Sequence, residues 1–166
     1  MRTDKIYLVG FMGAGKSTVA RALGTSLGWQ VEDIDDLIVA RERRSIADIF
    51  ARRGEAYFRE IERAALRSLL PLRHAIVATG GGTFADVENR RVINNDGASI
   101  WLDLTFEKAV ARIPSDGRRP LATDRGTLEA LYITRCAAYR FAHLRLDAGR
   151  APAGEIVERI RDWLGC

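Results

Sequence analysis

Residues 10–17 form a glycine-rich segment whose residue types are suited to binding phosphate. They read Gly-Phe-Met-Gly-Ala-Gly-Lys-Ser and match the phosphate-loop pattern G-x-x-x-x-G-K-S/T in full. Small residues allow backbone N–H groups to close around phosphate oxygens, and a following helix adds positive charge at its N-terminus. In this pattern Lys16 reaches the β- and γ-phosphates and Ser17 ligates Mg²⁺. The segment therefore predicts a nucleoside triphosphate site. The alternative is a turn that binds nothing.

Two aspartates follow the second predicted strand. Asp33 and Asp35 are two residues apart, so in an extended chain their side chains share one face. One carboxylate can support Mg²⁺, directly or through a water molecule, and the other can accept a proton from an attacking hydroxyl. The alternative is a helix N-cap at Asp35 or Asp36, and we expect Asp36 to have that role.

Three consecutive glycines follow another apolar run: Gly80, Gly81 and Gly82. Ordering three glycines costs much conformational entropy, and a plain turn needs only one. The triplet therefore predicts a place where a ligand approaches backbone N–H groups closely. A strand-to-helix turn is the alternative interpretation.

Arginines supply the candidate anion-binding side chains. Arg59 can direct its forked guanidinium at a carboxylate, or it can pair with Glu55 at i,i+4 on a solvated face, and the residues alone do not decide between these. The same two interpretations hold for Arg135, whose small and apolar neighbours favour a pocket. Residues 112–121 place further arginines in a loop with proline and glycine, which predicts a closing lid or an ordinary solvated loop.

These residues must be positioned by alternating strands and helices. Apolar runs predict strands at 5–9, just before Asp33, and at 74–78, 99–102 and 143–147. Periodic segments predict helices at 16–27, 36–51, 54–70, 86–94, 105–112, 127–140 and 154–164, with a break near Gly54. Such alternation indicates a three-layer α/β fold, with a parallel sheet of about five strands covered on both faces. Ligands then bind beyond the carboxyl ends of the strands.

The composition favours a globular protein without a membrane span. The 166 residues, 47% hydrophobic and 29% charged, predict a single domain over 1–166 without repeats or linkers. We expect no membrane span and no signal peptide, and we expect Cys136 and Cys166 to be free thiols in a reducing cytoplasm. The net charge of +4 suits small anionic substrates, and because the arginines are scattered we expect no nucleic-acid partner.

Taken together, these segments resemble the shikimate kinase family over about residues 5–164. The resemblance rests on segments in the family's order and spacing: the phosphate loop, Asp33-x-Asp35, Ser45-Ile46-Ala47-Asp48-Ile49-Phe50, Gly54-Glu55-x-x-Phe58-Arg59, Gly80-Gly81-Gly82, Arg119-Pro120-Leu121 and Arg135-x-x-x-Tyr139. The loop alone is shared by many ATPases, whereas the combination is specific. The resemblance implies a core like that of nucleoside monophosphate kinases, with a substrate-binding region at about 33–62 and a lid at about 112–125.

The resemblance also implies a reaction and roles for individual residues. The family transfers the γ-phosphate of ATP to the 3-hydroxyl of shikimate, in the pathway to chorismate and the aromatic amino acids. By motif, the resemblance implies that Asp35 is the catalytic base and that Lys16 and Arg119 also take part in catalysis. It implies that Ser17 and Asp33 bind Mg²⁺. The residues implied in ATP binding are Gly13, Ala14, Gly15, Lys16, Ser17, Thr18, Arg112, Arg119, Arg150 and Pro152. Those implied in shikimate binding are Asp35, Arg59, Gly80, Gly81, Gly82 and Arg135.

The sequence departs from the family pattern at two places, and it is also compatible with two other functions. Arg43-Arg44 stands where the family usually has a glycine, and Ala122 replaces a common leucine in the lid. The chain can instead be a kinase for another polyol acid, such as gluconate or an amino-substituted shikimate, or a nucleotide-binding regulatory module without turnover. We expect a cytoplasmic monomer.

Overall fold

A five-stranded parallel sheet forms the centre of the molecule. The computed structural model describes residues 3–113 and 124–166. The strands are β1 (Lys5–Val9), β2 (Gln30–Asp33), β3 (Ala75–Ala78), β4 (Ala98–Asp103) and β5 (Leu144–Asp147). Their order across the sheet is β2-β3-β1-β4-β5, and every neighbouring pair is parallel. The predicted parallel α/β fold is confirmed.

Helices cover both faces of this sheet. All residues of β1 and β3 are buried, and successive side chains of a strand point to opposite faces, so neither face is open to solvent. The helices within the described residues are α1 (Lys16–Leu27), α2 (Ile34–Glu42), α3 (Ile46–Ser68), α4 (Val87–Asp96), α5 (Phe106–Arg112), α6 (Arg125–Tyr139) and α7 (Ala153–Leu164). None of them combines the length and apolar character needed to cross a membrane.

The region between β2 and β3 differs from the sequence prediction. A helix over 36–51 was expected, but α2 ends at Glu42 and α3 begins at Ile46. Arg43 ends α2 in the left-handed conformation (φ 54°, ψ 36°), and the Ser45 hydroxyl caps α3 by accepting from the N–H of Asp48 at 3.1 Å. These two features stop one helix and start the next, which the apolar pattern did not reveal. The expected break at Gly54 is present as a bend inside α3, with φ 82° and ψ 173°.

A buried charge fixes the end of α3 to the sheet. The Lys5 side chain is fully buried, and its ammonium donates to the carbonyls of Leu69 and Leu70, both at 2.9 Å, and to Asp96 at 2.6 Å. Buried charges are tolerated only when paired and hydrogen-bonded in this way. The helix that carries Arg59 is therefore anchored to β1 just beyond its last turn.

Candidate active site

The glycine loop after β1 folds as a phosphate-binding loop. Gly13 and Gly15 have φ values of 84° and 88°, a left-handed region in which glycine is favoured because it has no Cβ. The turn is closed by a hydrogen bond of 3.1 Å from the N–H of Ala14 to the carbonyl of Phe11. Helix α1 starts at Lys16, so its N-terminal N–H groups and dipole face the loop. This geometry can bind phosphate oxygens.

Lys16 lies within this loop. Its ammonium donates to the carbonyl oxygens of Gly10 at 2.6 Å and Phe11 at 3.1 Å. The cation is thus held at the mouth of the loop, next to the backbone groups that can cradle a phosphate. Thr18 follows in the first turn of α1 with an exposed side chain.

Ser17 and Asp33 meet at the ends of α1 and β2. The Ser17 hydroxyl donates to Oδ2 of Asp33 at 2.7 Å. Oδ1 of Asp33 accepts from the N–H groups of Asp35 and Asp36, at 3.0 and 3.2 Å, so Asp33 caps α2. The expectation that Asp36 caps this helix is wrong, because α2 begins two residues earlier, at Ile34. Since Asp35 lies in the first helical turn, Asp33 and Asp35 are also not alternate residues of one extended strand.

The oxygen pair of Ser17 and Asp33 fits Mg²⁺ chemically. Mg²⁺ prefers hard oxygen ligands and commonly takes one or two from the protein and the rest from phosphate and water. No group of three or more His, Cys, Asp or Glu in residues 3–113 and 124–166 could hold a metal by itself. A cleft of about 400 Å³ opens beside the pair. Asp36 also lines this cleft, where burial and then the negative charge of Asp33 raise the pKa of its carboxyl group.

Two guanidinium groups converge on the glycine triplet after β3. A Cβ atom placed on Gly82 would lie 2.6 Å from Nη1 of Arg59 and 2.9 Å from Nη2 of Arg135. One placed on Gly81 would lie 3.0 Å from Nη1 of Arg135. The structure therefore brings together Arg59 from α3, Arg135 from α6 and the triplet, as expected for a site that binds an anion.

Arg135 is the more buried of the two arginines. It is only 6% exposed, and it forms no ion pair with an acidic side chain of the described residues. Burial lowers the pKa of its guanidinium, and the nearby charge of Arg59 lowers it further. A carboxylate ligand would neutralise the charge of Arg135, and because this guanidinium is buried such an interaction is strong.

Glu62 orients this site, although it did not stand out in the sequence. Its side chain is 1% exposed, and its two oxygens accept from Nη1 of Arg59 and from the Thr83 hydroxyl, both at 2.9 Å. The Thr83 oxygen in turn accepts from the N–H of Gly80 at 3.0 Å. Its position in the helix could have indicated burial, because Glu62 shares one face of α3 with the buried residues Phe58, Ala65 and Leu66. The expected pair of Arg59 with Glu55 is also present, at 3.6 Å.

The glycine triplet joins the anion site to the phosphate loop. A Cβ on Gly80 would lie 3.0 Å from Oδ1 of Asp35, and one on Gly81 would lie 3.6 Å from the N atom of Met12. The Tyr139 hydroxyl donates to the carbonyl of Gly81 and holds this segment from α6. A carboxylate, two guanidinium groups and the phosphate loop therefore surround one short stretch of backbone.

The remaining predicted ATP-site residues lie along the same edge. Arg112, at the end of α5, donates from Nη1 to the carbonyl of Gly13 at 3.3 Å. Arg150 and Pro152 lie between β5 and α7, beyond the carboxyl end of β5. Arg119 lies outside the described residues, as does most of the predicted lid. A larger cleft of about 810 Å³ lies at the other end of the molecule, near Asp4, Asp96 and Cys166, and contains none of these residues.

As a whole, the arrangement can bind a nucleoside triphosphate, hold a divalent cation and fix an anionic second substrate. The carboxylate of Asp35 lies beside Gly80, at the same glycine triplet that Arg59 and Arg135 approach, where it can accept a proton. These are the requirements of phosphoryl transfer to a hydroxyl group of an acid.

Comparison with known proteins agrees with this chemistry. The shikimate kinase family model matches residues 12–165. The shikimate kinase of Persephonella marina is 41% identical over 161 residues, covering 94% of this chain and 98% of that protein. The shikimate kinase of Sulfurihydrogenibium sp. is 38% identical over 156 residues, covering 93% and 94%.

Solved structures show the same similarity. A shikimate kinase from Acinetobacter baumannii in complex with shikimate has a TM-score of 0.93 and 32% identity, covering 98% of this chain and 94% of that one. A deoxyadenosine kinase from M. mycoides, with a TM-score of 0.65 and 19% identity, shares the fold. The family resemblance predicted from the sequence motifs is thus confirmed, and the chain belongs to the shikimate kinase family.

Proposed function

We propose that the chain transfers the γ-phosphate of ATP to the 3-hydroxyl of shikimate, giving shikimate 3-phosphate and ADP for the synthesis of chorismate and the aromatic amino acids. The observation that carries this proposal is the convergence of Arg59 and Arg135 on Gly82, next to Asp35 and the phosphate loop. It offers a carboxylate site and a phosphate site side by side, as an acid acceptor of a phosphoryl group requires.

ATP is bound, in this proposal, by the loop and by the start of α1. Backbone N–H groups of residues 13–18 surround the β- and γ-phosphates, and Lys16 moves its ammonium from loop carbonyls to phosphate oxygens. Arg112, Arg150 and Pro152 border the adenine ring. The contact between Arg112 and Gly13 supports the placement of the first of these beside the loop.

Ser17 and Asp33 would hold Mg²⁺, Asp33 either directly or through a water molecule. The support is the 2.7 Å contact between their oxygens at the mouth of the loop. When bound, the ion neutralises charge on the phosphate oxygens.

Shikimate is fixed by its carboxylate and its hydroxyls. Arg59 and Arg135 clamp the carboxylate, and backbone groups of residues 80–82 contact the ring substituents. Glu62 keeps the Arg59 fork at one angle through its 2.9 Å hydrogen bond. Asp35 accepts hydrogen bonds from the hydroxyls, which places the 3-hydroxyl oxygen toward the phosphate loop.

The transfer step then needs little covalent chemistry from the protein. The 3-hydroxyl oxygen attacks the γ-phosphorus, the bond from phosphorus to the β,γ-bridging oxygen breaks, and ADP leaves with that oxygen. Asp35 takes the hydroxyl proton. Because the transition state is loose, catalysis depends mainly on holding both substrates in line. This positioning can lower the activation free energy by on the order of 7–11 kcal/mol. From its place in the sequence, we propose that Arg119 meets the γ-phosphate from a lid at about 112–125.

We also propose that one chain is sufficient for the reaction and works in the cytoplasm, where ATP is available. The support is that a single chain brings Arg59, Arg135, Asp35 and the phosphate loop together around residues 80–82. Sedimentation at micromolar concentration tests the monomer: a single species of about 18.5 kDa supports it, and a stable dimer contradicts it.

The test is ADP release by the purified chain with MgATP, with and without shikimate. We expect shikimate-dependent turnover of about 1–100 s⁻¹, and phosphorus NMR of the product should show a phosphate ester at the 3-oxygen. The control is the same assay with gluconate and an amino-substituted shikimate. Turnover with one of these but not with shikimate would assign another acceptor. ATP binding without turnover on any acid would instead support a regulatory module.

A further inference from the structure

One face of α6 carries both a clamp arginine and an aromatic side chain. Leu128, Tyr132, Arg135 and Tyr139 are spaced by four, three and four residues, so they share the face toward the core. Leu128, Arg135 and Tyr139 are buried on that face, and Tyr132 is partly buried against the core. Tyr132 lies about one helical turn from Arg135.

Tyr132 contacts the phosphate loop from this face. Its ring lies 5.2 Å from that of Phe11 in a perpendicular, edge-to-face arrangement, and 5.5 Å from that of Phe106. Its hydroxyl donates to the carbonyl of Leu104, just beyond β4, at 2.7 Å. Edge-to-face pairs are attractive and directional, so they hold one element at a defined angle to another.

Phe11 connects Tyr132 to the ammonium group of Lys16 in the phosphate loop. Its side chain is 2% exposed, so it has little room to move. Its carbonyl oxygen accepts from the N–H of Ala14 and from Nζ of Lys16, both at 3.1 Å. A shift of the Phe11 backbone would therefore change the shape of the loop and the position of Lys16.

We propose that Tyr132 is a positioning residue that holds α6, and with it Arg135, in register with the phosphate loop. The inference rests on the function proposed above. The acid is bound by α3 and α6 and the nucleotide by the loop and α1, so in-line transfer requires these elements to keep a fixed relation. Tyr139 and Gly81 form a link between α6 and the glycine triplet, and Tyr132 with Phe11 forms a link to the phosphate loop about two turns earlier. Of these two links, the one through Tyr132 reaches the phosphate loop itself.

Three variants of α6 test this inference. Tyr132→Leu removes the ring contacts and the hydroxyl, Tyr132→Phe keeps the ring, and Ile133→Ala changes a neighbouring side chain that is 63% exposed. We expect kcat/KM for shikimate to fall about tenfold in Tyr132→Leu, from the usual strength of an aromatic pair. Tyr132→Phe should stay within about threefold of the wild type, and Ile133→Ala should be unchanged.

A fourth variant separates positioning from stability. Phe11→Leu removes the same edge contact from the loop side, so it tests the inference even if Tyr132→Leu does not fold. Combined with Tyr132→Leu, it should add little to the loss in kcat/KM, because Tyr132→Leu has already removed the ring that Phe11 contacts. A lower melting temperature with unchanged kcat/KM in Tyr132→Leu would overturn the inference, and so would losses that multiply in the double variant. A wild-type chain without shikimate-dependent ADP release would instead overturn the proposed function, and this inference with it.

Discussion

Arg59 and Arg135 reach the same point from two helices that are far apart in the chain. Nη1 of Arg59 and Nη2 of Arg135 would lie 2.6 and 2.9 Å from a Cβ atom on Gly82. The missing side chain of Gly82 is therefore what allows both guanidinium groups to converge. A methyl group at this position would displace both guanidinium groups, independently of any backbone contact to a ligand.

Gly82→Ala should weaken the binding of shikimate and spare that of ATP. The added methyl group would displace both guanidinium groups, so we expect KM for shikimate to rise at least about tenfold, as when a charged hydrogen bond is lost. The measurement is initial-rate kinetics with each substrate varied in turn. Gly154→Ala is the matched control, because a Cβ at Gly154 meets no atom within 4 Å. An unchanged KM in Gly82→Ala would show that the site has space for the methyl group.

Arg59→Ala should act mainly on the acid substrate. Removing one half of the carboxylate clamp should lower kcat/KM for shikimate by about 10- to 100-fold, while the KM for ATP stays near that of the wild type. Arg52→Ala on the same helix is the control, since Arg52 is 61% exposed and pairs with Asp48. An equal loss of ATP affinity in Arg59→Ala would contradict the clamp.

Asp35→Asn should lower kcat by at least about 100-fold with the fold intact, because an amide cannot accept the hydroxyl proton. Glu158→Gln is the matched control, because the Glu158 side chain is 66% exposed on α7. Single-turnover rates and a thermal melt check both variants. Near-normal turnover in Asp35→Asn would remove Asp35 from the role of base.

Two substitutions of Asp33 should separate its structural and metal roles. Asparagine can still cap α2, so Asp33→Asn should keep its stability but need more Mg²⁺ for half-maximal activity. Asp33→Ala loses the cap as well, and its free energy of unfolding should fall by about 1 kcal/mol. Chemical denaturation and Mg²⁺ titration of the activity are the two measurements. If Asp33→Asn shows wild-type Mg²⁺ dependence, its carboxylate does not support the metal.

Arg43→Gly should stabilise the protein without changing its activity. Arg43 has a φ of 54°, in a region that costs a residue with a side chain about 1 kcal/mol relative to glycine. We expect the free energy of unfolding to rise by about that amount, less the greater entropy of glycine in the unfolded chain. Arg44→Gly is the control, because Arg44 has no positive φ to relieve. Destabilisation by Arg43→Gly would mean that its side chain makes a contact that outweighs the strain.

Much of this protein was predictable from local sequence because the relevant physics is local. The phosphate loop needs glycines, a lysine and a serine at fixed offsets, and these are readable as a motif, including the start of a helix at Lys16. The parallel sheet follows from apolar runs alternating with helical periods, since strands buried on both faces must be continuously apolar. The pair Asp33 and Asp35 was named because its residue types and spacing match the chemistry, whereas the roles of the arginines were implied by the family resemblance.

Only the tertiary structure shows the helix ends and side-chain contacts that depend on distant residues or on single backbone torsions. The end of α2 at Arg43 and its cap at Asp33 depend on a few dihedral angles and hydrogen bonds, which an apolar pattern does not encode. Only the fold showed that Arg59 lies near Arg135 as well as near Glu55, because Arg135 comes from a helix more than 60 residues away in the sequence. Glu62 and Tyr132 look like ordinary helical residues in the sequence. The contacts of these two residues arise because packing buries Glu62 beside Arg59 and sets Tyr132 against Phe11.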